Sequence, residues 1–192
     1  MQHVTGVRTV SGAATVAALV FGARGLLGGL PFAWDGPRAV LLVATVVAGA
    51  AAVLVLVAAV RARDRRALAL AVSSLAFALA WGAPFPVGTA LYFVAQAALV
   101  AFGVLAVRTA RGVQRTLGWV VTVAAALWFV VGLVTQTVPP LSTSQEFLVV
   151  VYSIPGLLQA VAYLAAAVLA AAPLLRVVGA GAGRLWDTAD VR

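Results

Sequence analysis

The sequence contains no cysteine, which excludes disulfides, thiolate metal centres and thiol catalysis together. It contains no lysine either, so all thirteen basic residues are arginines and Schiff-base chemistry, retinal attachment included, is excluded. The one histidine, His3, precedes the first long apolar run, which leaves no histidine pair for haem and no base for a serine nucleophile at membrane depth. The five acids (Asp35, Asp64, Glu146, Asp187 and Asp190) are scattered, whereas metal hydrolases and phosphotransferases need clustered carboxylates or histidines. No metal site, cofactor or catalytic group is therefore expected. Ion-coupled pumps place a carboxylate or histidine within the bilayer, and no apolar run here carries one well inside it.

What is present is apolar. Of 192 residues, 64% are hydrophobic and 9% charged, and the mean hydropathy is +1.11, a balance that one soluble core of this size cannot bury. A bilayer resolves this, because each span needs about 20 apolar residues to cross about 30 Å of hydrocarbon. The uninterrupted runs are 10–30, 39–60, 67–83, 87–107, 117–138 and 147–172. They are rich in Ala, Leu and Val without alternating polarity, which excludes a β-barrel. The fold expected is an all-α, polytopic transmembrane bundle of six spans, built as antiparallel hairpins with short loops. It forms one domain over 1–175, followed by a flexible tail over 176–192. The third run is the shortest, and Pro84-Phe85-Pro86 stops it.

Orientation follows from the arginines, since cytoplasmic loops retain them. Arg8, Arg61, Arg63, Arg65, Arg66, Arg108, Arg111, Arg115, Arg176, Arg184 and Arg192 fall on one side, and Arg24 and Arg38 on the other. Eleven against two places both termini in the cytoplasm and favours an even number of spans. The first run is then a retained signal anchor. Exclusive use of arginine fits a GC-rich genome and the plasma membrane of a bacterium or archaeon. The net charge of +8 resides in membrane-flanking loops, which argues against nucleic acid as a partner. Arg61, Arg63, Arg65, Arg66, Arg108, Arg111 and Arg115 are instead candidates for contact with anionic lipids, at about 1 kcal/mol per nearby charge. Membrane lipids are the expected partners, with another membrane protein or a second copy of the chain as further candidates.

Helical spacing puts polar and small residues on shared faces of three spans. The fourth carries Thr89, Tyr92, Gln96 and Gly103; the fifth Gly118, Thr122, Phe129, Gly132 and Gln136; the sixth Tyr152, Gly156, Gln159 and Tyr163. Such faces turn inward. They either hold the helices together, with small residues admitting close approach and polar ones bonding across, or enclose a pocket. In the first span Gly22, Gly25 and Gly29 share a side suited to close packing. Arg24 is the one charge inside an apolar run, lying about 9 Å of helix rise from the outer end. Its plainest role is to snorkel to headgroups; Asp35, Glu146 or an anionic ligand are the alternative partners. Glu146 has a local role in the capping box Thr143-Ser144-Gln145-Glu146, and Asp35 sits in the turn Trp34-Asp35-Gly36-Pro37. Asp64 moderates repulsion within the run 61–66.

Two functions lead the readings compatible with this sequence, ahead of an enzyme acting on lipid. One is a non-enzymatic accessory or assembly subunit. The other is a transporter or binder of a small neutral or lipid-like solute, in a cavity between the fourth, fifth and sixth helices lined by Tyr92, Gln96, Tyr152, Gln159 and Tyr163.

Overall fold

The computed structural model describes residues 2–29, 38–137 and 144–178. Among them are six helices and no strand: α1 (Gln2–Gly29), α2 (Arg38–Ala62), α3 (Arg65–Ala80), α4 (Val87–Thr109), α5 (Gly112–Thr137) and α6 (Gln145–Val178). Each expected span falls inside one helix or within a few residues of it. α6 runs through Pro155 and Pro173 to Val178, and the rest of the expected tail lies outside the described residues. A single proline deletes one donor from the ladder, and membrane helices tolerate it where neighbours meet the freed carbonyl. Five helices are long and apolar enough to cross a membrane. The exception is α3, whose 16 residues rise about 24 Å.

Successive helices pack side by side, and α1 and α6 form the most extensive pairing, which closes the row into a ring. The closure is made by small residues. A Cβ on Gly25 would stand 2.6 Å from the Ala160 backbone nitrogen and 2.7 Å from the Gly156 carbonyl oxygen. One on Gly156 would stand 2.6 Å from the Gly29 nitrogen. Backbone meets backbone here, and no rotamer change relieves an added methyl. The α4–α5 pair repeats the device, with Gly103 against Thr122 and Gly118 against Val107. These are the glycines that the helical spacing aligned.

α2 lies on the periphery, packing principally on α1 and α3, and turns Leu42, Val43, Val46, Val47 and Leu54 outward. In water that exposed stripe would drive aggregation; in lipid it is ordinary surface. α3 has the reverse character. Its face Leu70, Ser73, Ser74 and Phe77 is buried, and Phe77 meets rings from four other helices.

The two ends of the bundle differ in charge. The α2–α3 and α4–α5 turns share one end, where the Arg66 guanidinium donates to the Thr109 hydroxyl at 3.3 Å. Arg61, Arg63, Arg65, Arg108, Arg111 and Arg115 lie exposed at this end. Asp64 has a sharper role there than offsetting charge. It caps α3, accepting from the backbone nitrogens of Arg66 at 2.9 Å and Ala67 at 3.1 Å. Arg63 makes the preceding bend with φ at 55°.

The glycine contacts predict a graded mutational response. Gly25→Val or Gly156→Val should destabilise the bundle by about 3 kcal/mol or more, the upper end of overpacking costs. Gly28→Ala, where an added Cβ meets open space, should be neutral or stabilising. Thermal unfolding and gel filtration in detergent will distinguish these outcomes.

Candidate functional site

The inward polar residues form a chain of contacts across the bundle. The Ser73 hydroxyl donates to the Ala95 carbonyl at 2.8 Å. A serine has one proton to give, so the Tyr163 hydroxyl, also 2.8 Å away, donates to Ser73. This ties α6 to α3 and α3 to α4. The Trp128 indole donates to the Tyr92 hydroxyl at 2.6 Å, joining α5 to α4. Gln159 donates to the Phe21 carbonyl at 2.9 Å, joining α6 to α1. Around these bonds Phe21, Phe77, Tyr92, Trp128 and Tyr163 stack at centroid separations of 5.2 to 6.1 Å, mostly tilted or edge to face.

Two buried side chains are less fully bonded. Gln96 is fully buried and shares a long hydrogen bond with the Tyr92 hydroxyl, while neither of its amide atoms makes a close one. Ser74, at 1% exposure, has an unpaired hydroxyl. An unmade hydrogen bond at such depth costs about 1–3 kcal/mol.

Two open cavities flank the aromatic layer. One, of about 660 Å³, faces the end away from the arginine-rich turns. Arg24, Trp81, Thr89, Tyr92, Gly156 and Gln159 contribute to its wall, with Phe77 at its floor. The other, of about 860 Å³, opens at the arginine-rich end beside Ser11, Arg61, Arg66, Leu70, Phe102 and Gln114.

Arg24 is fixed across the first cavity. Its guanidinium donates to the Thr45 hydroxyl of α2 and lies 3.3 Å from the centroid of Trp81. Trp81, itself 64% exposed, follows α3 directly. Asp35 and the side chain of Glu146, the two acids expected as partners, lie outside the described residues, as does the side chain of Gln136.

The expected site is thus partly assembled and partly relocated. Tyr92 and Gln159 line the first cavity; Gln96 and Tyr163 lie deeper, in the layer beneath it. Tyr152 is 56% exposed. It shares a helical face with Gln159 and lies one turn before Gly156, the residue that meets Gly29 of α1. The cavity itself is walled by α1, α2, α3, α4 and α6, and not by α4, α5 and α6 as expected. Trp128 is the reason, since its ring fills the centre between those three helices. Thr45, Ser73 and Ser74 carry parts that the sequence left unassigned. Their only signal was a polar group in an apolar run.

Comparison with protein families, with characterised proteins and with solved structures finds no match.

The two buried glutamines should respond differently. Gln96→Leu removes a buried amide that makes no close hydrogen bond and should leave stability unchanged or raise it by up to about 1 kcal/mol. Gln159→Leu removes an interhelical bond and should destabilise it by about 0.6–2 kcal/mol. Thermal unfolding of both variants in one detergent is the measurement.

Proposed function

We propose that this chain is a non-enzymatic, six-span protein of a prokaryotic plasma membrane, with both termini cytoplasmic, that binds a small amphiphilic anion in the cavity beside Arg24. The observation that carries this reading is a guanidinium held in the wall of an otherwise largely apolar cleft of about 660 Å³. That volume suits a small amphiphile, and convergent polar groups on apolar walls are what such ligands need. Arg24 has five N–H donors, and its contacts among the described residues are one hydroxyl and one ring face. The remaining donors suit a phosphate, sulfonate or carboxylate head, while Phe77, Trp81 and Phe85 offer surface to an alkyl chain. Glycines at positions 25, 28 and 156 keep the wall beside Arg24 low.

The topology rests on the arginine asymmetry, and α3 completes the even count although it is short. A helix of about 24 Å crosses a bilayer where its ends are shielded by neighbouring helices and the membrane thins locally. Single-cysteine variants test this on a background without native thiols. In intact cells a membrane-impermeant maleimide should label Gly82→Cys and should label Ala110→Cys only after lysis. The reverse pattern would invert the topology, and equal labelling of both before lysis would break it.

Binding is tested with decyl phosphate as the probe and ligand-induced thermal stabilisation as the readout. Replacing Arg24 by Gln should weaken binding by about tenfold or more, the loss of one or more charge-assisted bonds of about 1.5–3 kcal/mol. A variant that folds and binds decyl phosphate as well as the parent would refute the assignment of Arg24.

A further inference from the structure

The cavity at the arginine-rich end straddles the level at which the apolar runs begin and end. Arg61, Arg66 and Gln114 on its rim fall just outside the runs 39–60, 67–83 and 117–138, whereas Leu70, Phe102 and Leu169 on its wall fall inside theirs. Leu70 stands four residues, about 6 Å of rise, into the bundle from Arg66. Phe102 stands seven residues, about 10 Å, from the end of α4 at Thr109. A polar rim above an apolar wall at this depth matches the junction of headgroup and hydrocarbon in a lipid leaflet.

The rim is basic, and most of its donors are unused. The Arg66 guanidinium makes one bond, to Thr109, and the side chains of Arg61, Ser11 and Gln114 bond to no other described residue. Asp64, the one acid among the lining residues, is turned onto α3, where it accepts from the backbone nitrogens of Arg66 and Ala67. Arg63, Arg65, Arg108, Arg111 and Arg115 add positive charge at the same end. Charge complementarity therefore calls for an anion. A soluble anion would leave Leu70, Phe102 and Leu169 in contact with water, whereas a lipid covers them.

We propose that this cavity holds one acidic phospholipid from the leaflet at the arginine-rich end, with its phosphate on Arg61 and Arg66 and the upper part of one acyl chain against Leu70, Phe102 and Leu169. The inference uses the bilayer reading proposed above and does not depend on Arg24. A volume of about 860 Å³ suits a headgroup with the first part of a chain. Ser11 and Gln114 offer hydrogen bonds to the rest of the head. α2 is the peripheral helix and forms with α1 the least extensive of the side-by-side pairings, so the acyl chain enters along that seam.

The test is native mass spectrometry of the full chain in a non-ionic detergent, titrated with phosphatidylglycerol. Wild type should retain one phosphatidylglycerol per chain, about tenfold or more tightly than phosphatidylcholine with the same acyl chains. Arg61→Gln combined with Arg66→Gln should weaken retention by about tenfold or more. Arg111→Gln combined with Arg115→Gln removes equal charge from the same end but outside the cavity, and should change retention by less than about twofold. Ala62→Trp keeps every arginine and fills the mouth from an exposed position, and it should weaken retention as well. Gel filtration establishes that each variant is folded; should Arg66→Gln not fold, Arg61→Gln alone carries the test. Equal retention of the two lipids, equal loss in the two arginine pairs, or no effect of Ala62→Trp would each overturn the inference. Displacement by excess inorganic phosphate would mark a soluble-anion site and overturn it too. Loss of phosphatidylglycerol in Arg24→Gln would move the lipid to the other cleft, with the same consequence. None of these results bears on decyl phosphate binding through Arg24 or on maleimide labelling, so the earlier reading stands or falls separately.

Discussion

The rest of the structure depends on the closest approach it contains, the contact of α1 with α6 at Gly25 and Gly156. In lipid the helices gain nothing from hiding apolar surface from one another, so association depends on how closely backbones can meet and on what bonds form across them. Removing the side chains at these positions brings the first and last helices together and turns a row of hairpins into a closed ring. It also makes a recess. Next to these contacts Gly28 faces open space, and the cavity beside Arg24 opens there. Glycine thus provides both the tightest packing, at positions 25 and 156, and an unfilled stretch of cavity wall, at position 28.

Closure of the ring places α3 in an unusual position for so short a helix. It has neighbours on both sides and contributes to the wall of both cavities, and its Phe77 is the common contact of the aromatic layer. Serine at two consecutive positions gives that helix one bonded and one unbonded hydroxyl. Ser73 holds α3 between α4 and α6, while Ser74 contributes nothing to holding it.

Much of this fold was legible because its determinants are local in sequence. Apolar run length, the proline turns and the position of each arginine gave six helices with nearly the observed limits. Glycine spacing correctly paired Gly25 and Gly29 as a packing face, and aligned Gly103 with the polar side of α4. The site was less legible, because its geometry is set by which helices meet and how far each extends. Tyr152 shows this well: the helical repeat puts it on the face of Gln159, yet it is exposed, because the tertiary arrangement decides which part of a face is covered. Trp128 moved the cavity for a similar reason, since a large ring occupies whichever gap the tertiary arrangement gives it. Thr45 as a partner of Arg24 depends on the offset between α1 and α2, which no periodicity reports.

A membrane protein with a purely structural role would gain from an apolar residue at every buried position that makes no bond. Here the interior follows that rule over most of its length: Ala, Leu, Val and aromatic rings fill the core, and Ser73, Tyr163 and Gln159 are all bonded across helices. The departures among the described residues are Ser74, whose hydroxyl makes no hydrogen bond, and Gln96, which has only the Tyr92 hydroxyl beside it. Both lie one turn of helix from aromatic residues that line the cleft beside Arg24, Phe77 and Tyr92, so the polar groups that the core satisfies least sit next to that cleft rather than along the closely packed seam of α1 and α6.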